Sequence, residues 1–217
     1  MTGRELLQNA LAGLTVEPKP VIVEEPSPDA DGLCVRPGAV AKAVADHPDQ
    51  LVLVTVDSPY GRAFDECVDV LALLDEDPSR CDDYLRTKLR EAENDIAAAK
   101  DAGAHGIRYR LAGATTEFLS RPIYSRWLLP LDEMILAEHN WFELNLIEVI
   151  GDEPFLDLVA QVPAHVIAWD RKCSRATVDQ VKNRFEGLVA TADGEGDIFF
   201  VREFQDALPW LGAGASL

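Results

Sequence analysis

Arg108 and Arg110 stand two residues apart inside the apolar run GIRYRLA, Gly106 to Ala112. Successive side chains on a strand point to opposite faces, so the two guanidinium groups share one face while Ile107, Tyr109 and Leu111 share the other. A buried face with two arginines needs acceptors. These come from the chain's own carboxylates, from water along an edge strand, or from an anionic ligand, because the guanidinium fork matches a carboxylate with two parallel hydrogen bonds. Further polar groups stand where other apolar runs end: Asp57, Ser58 and Tyr60 after LVLVTVD, Asp170 after AHVIAWD, and Asp193 after GLVATAD. In parallel α/β domains ligands bind at the carboxyl ends of strands, where loops converge and helix amino termini face inward. Asp57, Tyr60, Arg110 and Asp170 are therefore the candidate substrate-binding set. Each aspartate also has a plainer use, capping the element that follows it.

The elements that must position these groups alternate short β-branched runs with longer segments of helical period, the pattern of an α/β domain around a parallel sheet. Strands are expected at Pro20 to Glu25, Leu51 to Asp57, Gly106 to Ala112, Phe142 to Ile150, Ala164 to Asp170 and Gly187 to Asp193, with a weaker seventh at WLGAGAS near the end. Leu85, Leu89, Ala92, Ile96 and Ala99 form one stripe, so a helix is expected from Asp83 to Ala102, capped by Asp82 or Asp83 and stopped at Gly103. Thr177 and Gln180 have capping-box spacing. Ile123, Trp127, Leu131 and Ile135 suggest a helix that Pro130 should kink or interrupt. From Glu25 to Leu51 the chain reads as a loop, PSPDADG, followed by one short helix.

The 217 residues are enough for one large domain, taken here as residues 1–217. Glu5, Gln8 and Asn9 interrupt the amino terminus where a signal peptide needs an apolar stretch, and no run reaches membrane-spanning length, which points to a cytoplasmic protein. A formal charge of −18 excludes a nucleic-acid surface and an anionic membrane surface, both of which need clustered Lys and Arg. An anionic substrate would need a local cationic pocket, screened from the global field over about 8 Å. Cys34, Cys67, Cys81 and Cys173 are scattered without a C-x-x-C pair, which argues against a disulfide framework and a cysteine-rich zinc site. Cys67 and Cys81 read as packing residues, Cys34 and Cys173 as polar-flanked. The four histidines show no metal-ligand spacing, and His47 and His139 fall where helices should end. Dinucleotide, P-loop and nucleophile-elbow signatures are all missing. No metal and no cofactor is expected.

Three stretches carry a resemblance. DIAAAKDAGAHGIRYRLAGATTEFLSRPIYSRWLLPLDEMIL, WFELNLIEVIGDEPFLDLVAQVPAHVIAWD and NRFEGLVATAD resemble, in order and spacing, the uroporphyrinogen decarboxylase superfamily. The opening TGRELLQNALAG, DSPYGRA after the Leu51 strand, and the terminal GAGAS add to the likeness, which is good from Leu51 to Asp193 and weak elsewhere. The superfamily is a (β/α)₈ barrel that also contains cobalamin-dependent methyltransferases and relatives of cobalamin-independent methionine synthase. The resemblance implies a TIM-type barrel, decarboxylation of a carboxylated, tetrapyrrole-type substrate, and Arg108 and Arg110 facing the barrel interior. Arg108 is then expected to pair with Glu148, leaving Arg110 nearer the mouth for a ligand.

Departures from the family pattern are equally specific. The methyltransferase branch holds zinc with a His-x-Cys pair and a later Cys; the matching positions here are Glu148, Ile150 and Ala215, which cannot supply imidazole and thiolates. A corrinoid-linked methyltransferase is the least favoured reading. The arginine-rich loop and aspartate of the decarboxylase branch have no counterpart between Glu25 and Leu51, where roughly two or three strands are also missing if each strand carries one helix. The sequence thus implies an incomplete barrel with fewer than eight βα units, a shortened member of the family. Its open side would favour a homo-oligomer. Catalytic residues are not identified, and a noncatalytic binding or assembly relative is the alternative to a decarboxylase.

Overall fold

A computed structural model describes residues 1–201. Eight parallel strands close into a barrel in chain order: β1 Val21–Val23, β2 Gly32–Val35, β3 Leu51–Asp57, β4 Gly106–Leu111, β5 Leu144–Val149, β6 Val166–Trp169, β7 Leu188–Thr191 and β8 Ile198–Val201. The pairing of β1 with β8 completes the ring. This corrects the expected incomplete barrel: β2 and β8 were not anticipated, and no open side remains among the eight strands. The argument for self-association from an exposed strand edge falls with it. WLGAGAS lies outside the described residues.

The undercount has a physical cause. Parallel neighbours ordinarily need a crossover of a dozen residues or more, usually a helix. Here β1 reaches β2 through residues 24–31 and β7 reaches β8 through residues 192–197, with no helix in either connection. Counting one helix per strand therefore misses both. Each missed strand is only four residues long, and each follows a turn-forming tract, DADG or DGEGD.

The remaining helices are α1 Gly3–Leu11, α2 Val40–Asp46, α3 Pro59–Asp65, α4 Val70–Glu76, α5 Pro78–Asp101, α6 Arg121–Ile123, α7 Leu129–Glu138, α8 Leu156–Val159 and α9 Val178–Lys182. The stripe on α5 is buried as expected, but the helix begins earlier: Pro78 occupies the first turn and the Asp77 carboxylate caps Ser79 and Arg80, so neither Asp82 nor Asp83 is the cap. Gly103, at φ +91°, supplies the left-handed stop. Thr177 and Gln180 form the capping box of α9. Between α6 and α7, Tyr124–Leu128 winds as a π-turn immediately before Pro130, which is how this helix accommodates a residue with no backbone N–H. None of the described helices is long and apolar enough to cross a membrane.

Side-chain alternation divides the barrel into two apolar layers. Ile22, Leu51, Leu53, Leu144, Leu146, Val166, Ala168, Ala190, Ile198 and Phe200 fill the interior, and Leu7 of α1 joins them to plug the end where the strands start. Val54, Val56, Ile107, Tyr109, Leu111, Ile147, Val149, Ile167 and Val189 point outward beneath α5, α7, α8 and α9. Gly106 opens β4 against β5, and a Cβ there would collide with the Leu144 carbonyl. Gly106→Ala should cost about 1 to 3 kcal/mol in a urea melt. Wild-type stability would contradict the close approach of these two strands.

Two histidines repeat one device at the barrel's amino-terminal end. His105 and His165 each stand immediately before a strand, and the Nδ1 of each accepts a backbone N–H of the preceding strand, from Val52 at 3.0 Å and Asn145 at 2.9 Å. Burial holds both imidazoles below the usual range, as this acceptor role requires. His47 and His139 end α2 and α7, as their positions implied. Cys81 is buried as expected; Cys67 is exposed, and Cys34 lies buried inside the barrel, within reach of the charges of Arg108, Glu148 and Glu24.

Candidate functional site

Arg108 and Arg110 point into the barrel, and Ile107 and Tyr109 away from it. Register places Asp57, Arg110, Glu148 and Ala168 side by side across β3, β4, β5 and β6. Arg108 is almost fully enclosed. It donates to Glu148 through Nε at 2.8 Å, lies 2.6 Å from the same carboxylate through Nη2, also pairs with Glu24 at the end of β1, and sits 5.3 Å above the Phe200 ring. Burial opposes the guanidinium charge here, but Glu148 and Glu24 outweigh it and hold the proton more firmly than usual. Glu24 was not among the expected site residues. Its place was legible all the same, because it shares a face with Ile22 two residues earlier. Cys34 is close enough to feel these charges, yet burial pushes its thiol up to about 12, so it is a neutral packing group and no nucleophile.

Nearer the mouth the geometry loosens. Arg110 Nη1 lies 3.3 Å from Asp57 Oδ1, and both side chains retain solvent access, at 15% and 23%. Asp57 ends β3, and its carbonyl accepts the Arg62 Nε of α3 at 3.2 Å. A strand end, a helix and a neighbouring strand thus hold one carboxylate and one guanidinium at the rim. Two of the four expected substrate-binding residues therefore meet. Tyr60 instead packs against Phe118, with ring centres 6.2 Å apart, and lies under Gly113; burial and nearby Asp69 push its hydroxyl up to about 12. Asp170 accepts Lys172 N at 2.9 Å and caps a short 3₁₀ turn, the plainer use available to it from the outset.

Beside the Asp57–Arg110 pair a pocket of about 300 Å³ opens between the end of β2 and helices α3 and α5. Its charged lining comprises Arg36, Asp57, Arg62, Asp65, Glu66, Glu91 and Asp95. Five of these have ionic partners: Asp57 with Arg110, Arg62 with Asp95, and Glu66 and Glu91 with Lys88. Arg36 and Asp65 escaped the sequence reading, Arg36 because the strand it follows was taken for loop.

Among the described residues no cluster of three His, Cys, Asp or Glu has the arrangement of a metal site. At the positions where the resemblance would put zinc ligands, the Glu148 carboxylate is committed to Arg108 and Ile150 offers only carbon. Ala215 lies outside the described residues. These groups do not fit a zinc centre.

No protein-family model matches the chain, and no curated protein matches it. Solved structures do. The chain is similar to a methyltransferase from Methanosarcina mazei, with a TM-score of 0.73 and 12% identity over 88% of this chain and 82% of that one. The fold is a TIM-type barrel. A candidate lyase/mutase from Burkholderia cenocepacia J2315 aligns with a TM-score of 0.49 and 12% identity, covering 97% of this chain and 85% of that one. The YdjI aldolase from Escherichia coli K12 gives 0.40 and 9%, with 94% and 80% covered. At such identities the likeness concerns the fold, and activity has to be argued from the site.

Proposed function

We propose that this barrel binds a carboxylated small molecule at the carboxyl ends of its strands and acts on it as a uroporphyrinogen-decarboxylase-like lyase. The observation that carries the reading is the contrast between the two arginines. Arg108 is saturated by two internal carboxylates, whereas Arg110 faces the rim through a longer contact to a partly exposed aspartate. A guanidinium has five donors, so Arg110 can take a ligand carboxylate on one edge while Asp57 holds the other. In that arrangement Arg110 binds and orients the acid group, Asp57 fixes the fork, and the Glu24–Arg108–Glu148 cluster beneath closes the floor of the site.

Support for the lyase chemistry comes from the sequence resemblance, and the fold is compatible with it. The methyltransferase likeness of the fold would favour methyl transfer, but Glu148 and Ile150 do not supply that branch's metal ligands.

A thermal-shift screen of carboxylic acids, from small monoacids to tetrapyrroles, tests the proposal, since a ligand of the native state raises its melting temperature. At least one acid should stabilise the wild type. Arg110→Ala should weaken that acid by about 1.5 to 3 kcal/mol, the range for a charge-assisted hydrogen bond. Acids that bind equally well without Arg110 would overturn the assignment of the site.

A further inference from the structure

The pocket beside Asp57 holds two charged groups whose partners are not supplied by the fold. Among the described residues, Arg36 and Asp65 make no side-chain hydrogen bond and no ion pair, although every other charged group on the pocket wall does. They are opposite in sign. Arg36 follows β2 and Asp65 ends α3, and both are exposed. Burial and Asp57 raise the Asp65 carboxyl, and Arg110, then Arg36 and Arg62, oppose that rise, yet Arg36 and Asp65 do not meet within ion-pair reach. A cleft that presents one guanidinium and one carboxylate across a gap is complementary to a molecule carrying both an anionic and a cationic group. Its volume, about 300 Å³, suits a small ligand.

We infer that this pocket binds a zwitterionic small molecule of the α-amino acid type, with the ligand's carboxylate on Arg36 and its ammonium on Asp65. The inference rests on the reading of the barrel mouth as a substrate site and names the class of substrate. It also resolves the tension between an acidic chain and an anionic ligand. Arg36 accounts for the carboxylate, while the excess of carboxylates around the pocket favours the ammonium.

The test uses the full chain and a panel of the standard amino acids, each beside its N-acetyl and carboxamide derivatives, together with simple carboxylic acids, by thermal shift and then calorimetry. At least one free amino acid should bind saturably. Blocking either its amine or its carboxylate should weaken it about tenfold or more, and so should Arg36→Gln or Asp65→Asn. Both substitutions are at exposed positions, and urea melts of the two variants confirm that the fold is kept. If N-acetylated forms bind as tightly as free amino acids, or if neither substitution changes affinity, the inference is overturned. If simple carboxylic acids bind in an Arg110-dependent way and no free amino acid binds, the zwitterion assignment fails while the mouth stands as a carboxylate site. Failure of every acid and every amino acid removes both.

Discussion

Arg108→Ala should lose about 3 to 5 kcal/mol of unfolding free energy. The side chains of Arg108 and Glu148 retain only 7% and 2% of their exposure, so the charges interact with little help from water. Taking charges out of solvent is expensive, and the mutual attraction of Arg108 with Glu148 and Glu24 is what offsets it. Alanine removes the cation that both carboxylates share and changes the cluster's net charge from −1 to −2, together with the contact over Phe200. A hydrophobic replacement of the central pair, Arg108→Met with Glu148→Leu, should be less damaging than the single change, because it removes the two most deeply buried charges together and leaves only the part-exposed Glu24. Urea melts of the single and double variants check this. A single variant within about 0.5 kcal/mol of wild type would mean that the cluster is hydrated and its burial misjudged.

The second large effect is a stability that falls as pH rises, centred on Asp132. This carboxyl on α7 is fully buried and accepts hydrogen bonds from Tyr109 of β4 at 2.7 Å and Tyr124 of the π-turn at 3.1 Å. Burial pushes it from the ordinary 3.8 up to about 7, against the two tyrosine hydroxyls, which favour the carboxylate; Glu133 adds to the rise. The folded state therefore keeps a proton that the unfolded chain releases near 3.8. Stability from this site is fully present below that value and is lost as pH rises towards 7. At about 1.36 kcal/mol per pH unit, the span from 3.8 to about 7 corresponds to roughly 4 kcal/mol, about half of it between pH 5.5 and 8. Asp132→Asn keeps the shape without the titration. Relative to wild type, the Asn variant should gain stability from about pH 5.5 and level off above about pH 7 in parallel denaturant melts. A difference that does not change with pH would show that Asp132 ionises in the fold as readily as in the open chain.

How far the sequence carried this account depends on the kind of signal each element left. The division of each strand into two faces was readable wherever alternation ran for six residues or more; it put Arg108 and Arg110 on one face, and the resemblance to a barrel family turned that face inward. α5 was equally plain, since an apolar stripe over about four turns has one interpretation; its start was not, because Pro78 and Asp77 precede the first apolar residue of the stripe. β2 and β8 left almost no signal. Four residues cannot show a period, and the absence of a helix before each of them broke the βα rhythm by which barrel units are counted. The site divides in the same way. Glu148 as the partner of Arg108 followed from the resemblance and Asp57 at a strand end from the close of an apolar run, but Asp57 meeting Arg110 required the pairing of β3 with β4. Tyr60 and Asp170 looked alike in sequence and proved to be committed to packing and to a cap. Arg36 and Asp65 were invisible until β2 and α3 brought them to one pocket.

The central claim is that the barrel interior separates a structural arginine from a ligand-facing one two residues away. Side-by-side denaturant melts and ligand titrations of Arg108→Ala and Arg110→Ala, using the acid that the thermal-shift screen selects, test it most directly. The account predicts that Arg110→Ala stays within about 1 kcal/mol of wild-type stability and loses about 10- to 100-fold in affinity, while Arg108→Ala loses its stability first. The reverse assignment, or an Arg110→Ala variant with undiminished affinity, would contradict it.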